Sequence, residues 1–552
     1  MGDRLPDDLR LADMLAALSV ATDLGMGQEP EKAVRTCLVA TRLARAMDLP
    51  DPDVRDVFYT ALLKHLGCTA PSHETAQLLG DDLAVAPQTE RTDIADRREV
   101  LALTAAAGKG TGARRIRYLV RTLAAGKEGG RTISRAVCEV GARMAERLHL
   151  PDGVRTGLLH SLERWDGRGE AHGLGGDDVA LPARVTVVAT QAVIFDRLGG
   201  PDAAVAMVRR RAGGWFDPAV ADTFQRVGPE LLKWLAEADV WAEVLAAEPQ
   251  PVRRIPWTQL DDVARAFGDM VDLLTPFTLG HSAGVAELAA AAAGHLRLPD
   301  GTVDLVRRAA LLHDLGRVAV SSHVWERPGA LTATQVEQVR LHPYHSERIL
   351  ARSRVLEPLA RTAGMHHERQ DGSGYHHGAS GAEIPAPARL LAAADAYQAM
   401  TQDRPHRAAL APPVAATLGF VYLLNPATGP VNSALGLVGI DGPLWLNEPG
   451  WSKPSLTLLG MWGVGNLMII FLAALIDVPA HLFESAARAR FRSPAPPVGM
   501  VNPPPEVVGV RTASSCERIS AARVSSPETA TVAPRRVAMS STAAVESVAR
   551  SR

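Results

Sequence analysis

The 552-residue sequence predicts an all-α protein with a duplicated helical domain, then an apolar helical segment and a disordered tail. Three observations carry this. The chain is Ala-rich and aromatic-poor, and Leu, Val and Ala recur at three- and four-residue spacing over 282–296 and 303–316. The sequence also echoes itself at fixed offsets. Finally, two charge-free runs appear late in the chain.

The echo takes two forms. Leu49-Pro50-Asp51 and Ala61-Leu62-Leu63-Lys64-His65-Leu66-Gly67 return as Leu298-Pro299-Asp300 and Ala310-Leu311-Leu312-His313-Asp314-Leu315-Gly316, both 249 residues later. Glu163-Arg164-Trp165-Asp166-Gly167-Arg168-Gly169 and Pro182-Ala183-Arg184 return as Glu368-Arg369-Gln370-Asp371-Gly372-Ser373-Gly374 and Pro387-Ala388-Arg389, 205 residues later. Two tandem copies follow, 1–245 and 255–412, the first carrying 44 extra residues between its halves. A chain this long exceeds the roughly 250–300 residues at which single cores stop growing.

The formal net charge of -2 gives no electrostatic case for nucleic acid as a partner. Cys37, Cys68, Cys138 and Cys516 lie far apart with no paired spacing, which argues against a zinc knot or a disulfide framework and fits a reducing cytoplasm. The N-terminus lacks an apolar signal core.

The second copy concentrates metal-type ligands: His281, His313, Asp314, His342, His366, His367 and Asp395. Neutral imidazoles with carboxylates bind iron, manganese or zinc at hydrolytic centres. Adjacent helical residues point about 100° apart, so His313 is expected to bind one ion while Asp314 bridges to a second. The bland alternative is a set of hydrogen-bonded core histidines. Against it stands the first copy, where the same positions read Lys32 for His281, Lys64 for His313, His65 for Asp314, Ser161 for His366, Leu162 for His367 and Thr190 for Asp395. The scaffold is kept and the ligands are lost, which reads as a metal-free copy used for packing, dimerisation or regulation.

Residues 257–412 resemble the HD-GYP family, bacterial cyclic di-GMP phosphodiesterases on the all-helical HD hydrolase fold. The likeness rests on Leu311-Leu-His-Asp-Leu-Gly-Arg317, Leu341-His-Pro343, His366-His-Glu-Arg-Gln-Asp-Gly-Ser-Gly-Tyr375, Ala388-Arg-Leu-Leu-Ala-Ala-Ala-Asp-Ala-Tyr397 and Thr401-Gln-Asp-Arg-Pro-His-Arg407. The first copy resembles a degenerate version. The resemblance implies two divalent ions, iron or manganese with zinc as the alternative, held by the seven residues above. It further implies hydrolysis by Asp314 with a metal-activated water, and Arg317 at the position of the family's lysine. Tyr375, Arg404 and Arg407 are implied at the substrate. Two departures stand out. Gly374-Tyr375-His376 replaces Gly-Tyr-Pro, and Phe277 occupies the position where three-metal members carry a glutamate.

After Arg407 the character changes. Residues 408–440 and 454–476 carry no charge, and the second run is long enough to span a ~30 Å hydrocarbon core. Gly429-Pro-Val-Asn432, Gly442-Pro-Leu-Trp-Leu446 and Pro479-Ala-His-Leu-Phe-Glu-Ser-Ala486 resemble a fragment, 413–490, of a sugar-type ABC transporter permease. Residues 491–552 have the composition of a disordered tail. Three expectations stand open. They are a cytoplasmic cyclic-dinucleotide phosphodiesterase, able to form a homodimer; a non-catalytic binding module; and a chimera anchored in the cell membrane through 454–476 by a non-functional permease fragment.

Overall fold

In a computed structural model of the chain, the described residues are 8–107 and 113–412, with isolated positions between 431 and 457. The first half comprises α1 (Leu11–Gly25), α2 (Lys32–Ala46), α3 (Asp51–Leu63), α4 (Ser72–Leu79), α5 (Asp82–Arg91), α6 (Arg97–Ala107) and the long α7 (Ala113–Arg147). It continues with α8 (Asp152–Leu159), α9 (Leu181–Arg211, interrupted at Gly199 and Gly200), α10 (Pro218–Glu237) and α11 (Val240–Ala247). The second half comprises α12 (Leu260–Asp272), α13 (His281–His295), α14 (Asp300–Leu312), α15 (Ser322–Trp325), α16 (Ala333–Arg340), α17 (His342–Leu350), α18 (Glu357–Gly364) and α19 (Ala386–Thr401).

The helix boundaries repeat at the offsets seen in the sequence. α12, α13 and α14 begin 249 residues after α1, α2 and α3, while α18 and α19 begin 205 residues after α8 and α9. Local chemistry explains why. Before α3 and α14 a left-handed residue, Asp48 (φ 54°) or Arg297 (φ 55°), turns the chain. Pro50 or Pro299 follows, then Asp51 or Asp300, whose carboxylate suits the positive end of the helix dipole. Asp23 accepts from the Ala33 amide at 3.0 Å, and Asp272 accepts from the Ser282 amide at 2.8 Å. Burial pushes both carboxyls up to about 7. Glu163 accepts from the amides of His172 and Leu174, and Glu368 from those of His377 and Ala379, tying each glycine-rich loop to its helix.

Both halves contribute to one continuous apolar core running from Leu9 to Ala394. The segment joining them is stitched down. β1 (Asp8–Arg10) pairs antiparallel with β2 (Arg254–Pro256), Leu9 opposite Ile255. Glu248 accepts from Tyr59 Oη at 2.6 Å, the Arg253 amide at 3.0 Å and Arg10 Nε at 2.6 Å. The expected boundary near residue 250 is thus no break in packing. Asp82, at the start of α5, accepts from Ser321 Oγ (2.5 Å) and the Ser322 amide (3.1 Å), bonding the first half to the start of α15.

Among the described residues no helix is long and apolar enough to cross a membrane. The expected span at 454–476, the permease-like stretch and the tail lie outside the described residues, apart from the isolated positions noted above.

Candidate metal centre

All seven expected ligands meet, and helix ends bring them there. His281 is the first residue of α13, following left-handed Gly280 (φ 71°), and His342 is the first of α17. The sequence pattern extends a helix through 303–316, yet α14 stops at Leu312 and a 3-10 turn, Leu315–Ala319, takes over. His313 keeps a helical backbone (φ -61°, ψ -34°), Asp314 departs from it (φ -95°, ψ 8°), and both side chains face one centre. His366 and His367 follow α18 in the same way, and Asp395 comes from the interior of α19.

The protonation pattern is set from outside. His313 Nδ1 lies 2.7 Å from the Ala310 carbonyl, His342 Nδ1 2.6 Å from that of Val339, and His366 Nδ1 2.6 Å from that of Ala363. A carbonyl only accepts, so each Nδ1 carries the proton and each Nε2 presents a lone pair inward. His281 Nδ1 is oriented likewise by Gln402 Oε1 at 2.9 Å. The inward atoms then confront one another. His342 Nε2 lies 3.2 Å from His366 Nε2, His281 Nε2 lies 3.1 Å from Asp395 Oδ1, and buried His313 Nε2 has no hydrogen-bond partner among the described residues. Lone pairs and carboxylate oxygens at such separations repel unless a cation lies among them, so the donor set fits a metal.

Two triads emerge, His281–His313–Asp395 and His342–His366–His367. Asp314 stands between them. Its Oδ2 lies 3.5 Å from His313 Nε2 and 3.8 Å from His281 Nε2, while its Oδ1 lies 3.4 Å from His342 Nε2 and 3.7 Å from His366 Nε2. Burial, reinforced by the neighbouring imidazoles, pushes His366 well below its ordinary range and His367 down to about 4. Burial alone would raise the two carboxyls. It is outweighed by His313 and Arg317 around Asp314, and by the His281 hydrogen bond and His313 around Asp395, so both stay far below the usual range. His366 and His367 are therefore neutral, and Asp314 and Asp395 charged, at neutral pH, as ligation requires.

The centre opens into a cavity of about 630 Å³ lined by Asp314, Arg317, Trp325, His367, Tyr375 and Arg404, among others. Arg317 Nη1 bonds Asp314 Oδ2 at 2.9 Å, and its guanidinium lies 4.2 Å from the Trp325 ring centre. Burial, with Arg317 nearby, lowers Arg404 to about 10. Phe277 lines the cavity too. Arg407 is not among the residues lining this cavity; its guanidinium donates to the carbonyls of Ala399 (2.6 Å), Met400 (3.0 Å) and Ala408 (3.1 Å), at the C-terminal end of α19. Trp325 and Gln402 were not legible as site residues, because nothing in their local sequence signals which way they face.

In the first half, the matching positions hold an ion cluster. Lys32 Nζ lies 2.5 Å from Glu90 Oε2, while Lys64 Nζ and His65 Nε2 lie 3.2 and 2.7 Å from Glu90 Oε1. All four side chains are buried. At the 249-residue offset Glu90 corresponds to Val339, an apolar residue, so the second half gives no hint of it.

An all-helical body with a buried histidine–aspartate centre defines the HD-domain class, and an HD-domain family profile matches residues 265–418. The chain is 30% identical over 409 residues to 3'3'-cGAMP-specific phosphodiesterase 3 of Vibrio cholerae serotype O1, covering 72% of this chain and 88% of that one. It belongs to the HD-domain family that includes such cyclic-dinucleotide phosphodiesterases. A cyclic di-GMP phosphodiesterase of Pseudomonas aeruginosa is 39% identical over 132 residues, covering 24% of this chain and 32% of that one. The crystal structure of a cyclic GMP-AMP-specific phosphodiesterase from V. cholerae superposes with a TM-score of 0.53 at 26% identity, covering 75% of this chain and 93% of that one.

Proposed function

We propose that the second half hydrolyses a 3'3'-linked cyclic dinucleotide at a two-ion centre of the HD-GYP type, and that the first half is a degenerate tandem copy. The observation that carries the reading is Asp314 facing one ligand triad with each oxygen. His281, His313 and Asp395 would hold one ion; His342, His366 and His367 the other; Asp314 bridges them. Divalent ions held there would supply an acidified water and neutralise charge developing on the phosphodiester. Within this reading Arg317 keeps Asp314 ionised and oriented. Arg404, facing the same cavity, receives a phosphate oxygen, and Tyr375 offers a ring face to a base. The absence of a carboxylate at Phe277 favours two ions over three.

The substrate expectation shifts. Sequence motifs pointed to cyclic di-GMP, whereas the relative matched over 409 residues is named for 3'3'-cGAMP, so the latter is the first substrate to test. The equal helix offsets and the paired Asp23/Asp272 and Glu163/Glu368 bonds support the tandem reading. The test is metal analysis of the purified full chain, then cleavage of both dinucleotides by the parent, His313→Ala and Asp314→Ala. Undiminished turnover in the variants, or none of either substrate by metal-loaded parent, would overturn the proposal.

A further inference from the structure

Beside the main centre, a second group of metal-type ligands shares no residue with it: Glu347 on α17 with His376 and His377 on the loop after Tyr375. One donor atom from each lies within 4.8 Å of the other two. Glu347 Oε2 is 3.2 Å from His376 Nε2 and 2.8 Å from His377 Nε2. A tetrahedral zinc ion with ligands at ~2.0–2.1 Å sets its donors about 3.3 Å apart, so the observed separations need only small adjustment. Side-chain exposures of 24% for Glu347, 14% for His376 and 40% for His377 leave a way in from solvent and room for water to complete the coordination.

The surroundings fit this. A Cβ on Gly364 would come 2.2 Å from Glu347 Oε2, so the glycine makes the space in which the carboxylate lies. At the positions 205 residues earlier the chain has Ala142 for Glu347, Ala171 for His376 and Leu159 for Gly364, with only His172 kept. The carboxylate, one imidazole and the space are thus present together here and absent together there.

We propose that Glu347, His376 and His377 form a separate surface site for a divalent transition-metal ion of the zinc type, fastening the Tyr375 loop to α17. Because α17 begins at His342 and Tyr375 lines the cavity, the ion would hold one wall of the cavity in place. The test compares full-length parent, a His376→Ala/His377→Ala double variant, a conservative Glu347→Gln variant and a His313→Ala/His366→Ala variant. Each is stripped with chelator, dialysed against Zn²⁺ and analysed for bound zinc. The double variant is expected to bind one equivalent fewer than parent, Glu347→Gln to bind that equivalent at least tenfold more weakly, and His313→Ala/His366→Ala to retain it. Hydrogen exchange at 374–379 should slow with Zn²⁺ in the parent and not in Glu347→Gln, which checks the site in a variant that keeps the shape of the side chain. Equal stoichiometry in parent and double variant would reduce the cluster to an ion pair only. Loss of all zinc from the double variant would show that no separate site exists. Either result overturns the proposal, and neither bears on cleavage at the main centre.

Discussion

Replacing Glu90 by Gln keeps the shape of the side chain and removes the one carboxylate that Lys32, Lys64 and His65 share. Lys32 is 1% exposed and Lys64 and Glu90 each 7%, so water cannot take over the counter-charge. Breaking a buried pair by removing one partner costs about 3–5 kcal/mol. An independent bound agrees. If Lys32 simply gave up its proton at pH 7, the cost from an ordinary value near 10.4 would be about 4.6 kcal/mol, at ~1.36 kcal/mol per pH unit. The expected drop in Tm is about 4–6 °C by calorimetry of the full chain, at ~2.1 cal/mol/K of unfolding entropy per residue over roughly 400 described residues. Its pH dependence follows from sign. Burial already lowers Lys32 despite Glu90, and losing Glu90 lowers it further, so the folded variant binds fewer protons than its unfolded chain. Its stability therefore rises with pH, and the deficit relative to parent should narrow between pH 7 and 10. In the parent, burial would raise Glu90, but Lys32, His65 and Lys64 hold it well below its ordinary range, so its contribution persists until strong acid. A Glu90→Gln protein melting within a degree of parent across this range would refute the idea that the lysines are held by charge.

Other expectations concern the cavity. Asp314→Asn should lower kcat for cyclic-dinucleotide cleavage by at least about a thousandfold and reduce bound metal, read by single-turnover kinetics and metal analysis. Arg404→Ala should raise KM about tenfold or more, whereas Arg407→Ala should leave KM near parent and lower Tm, because its guanidinium serves carbonyls at the end of α19. Asp82→Ala removes a carboxylate from the start of α15, at a cost of about 1.5–3 kcal/mol. Because α15 carries Trp325 against Arg317, the same variant should change kcat/KM, and unaltered kinetics would show that the contact from α5 does not influence the cavity.

Much was legible without coordinates. The helical class, the two offsets and the seven residues that the fold gathers at one centre can be read from the chain, because helix starts depend on local features such as Pro299-Asp300 and because imidazole–carboxylate chemistry is carried by residue type. The fate of His313 and Asp314 was harder to read. Periodicity continues past Leu312, so only the turn that follows α14 tells which way Asp314 faces. The resemblance likewise implies a phosphate role for Arg407, and only the structure shows its guanidinium on the carbonyls at the end of α19.

The sequence by itself determined which residues can ligate, since a lysine cannot do what a histidine does, and it determined that Lys32 and Lys64 stand where His281 and His313 do. Only the tertiary structure decided what answers those lysines. Glu90 lies 58 residues from Lys32 and 26 from Lys64 along the chain. No local pattern links such residues; burial does, because two ammonium groups removed from water must meet an opposite charge wherever the fold can bring one.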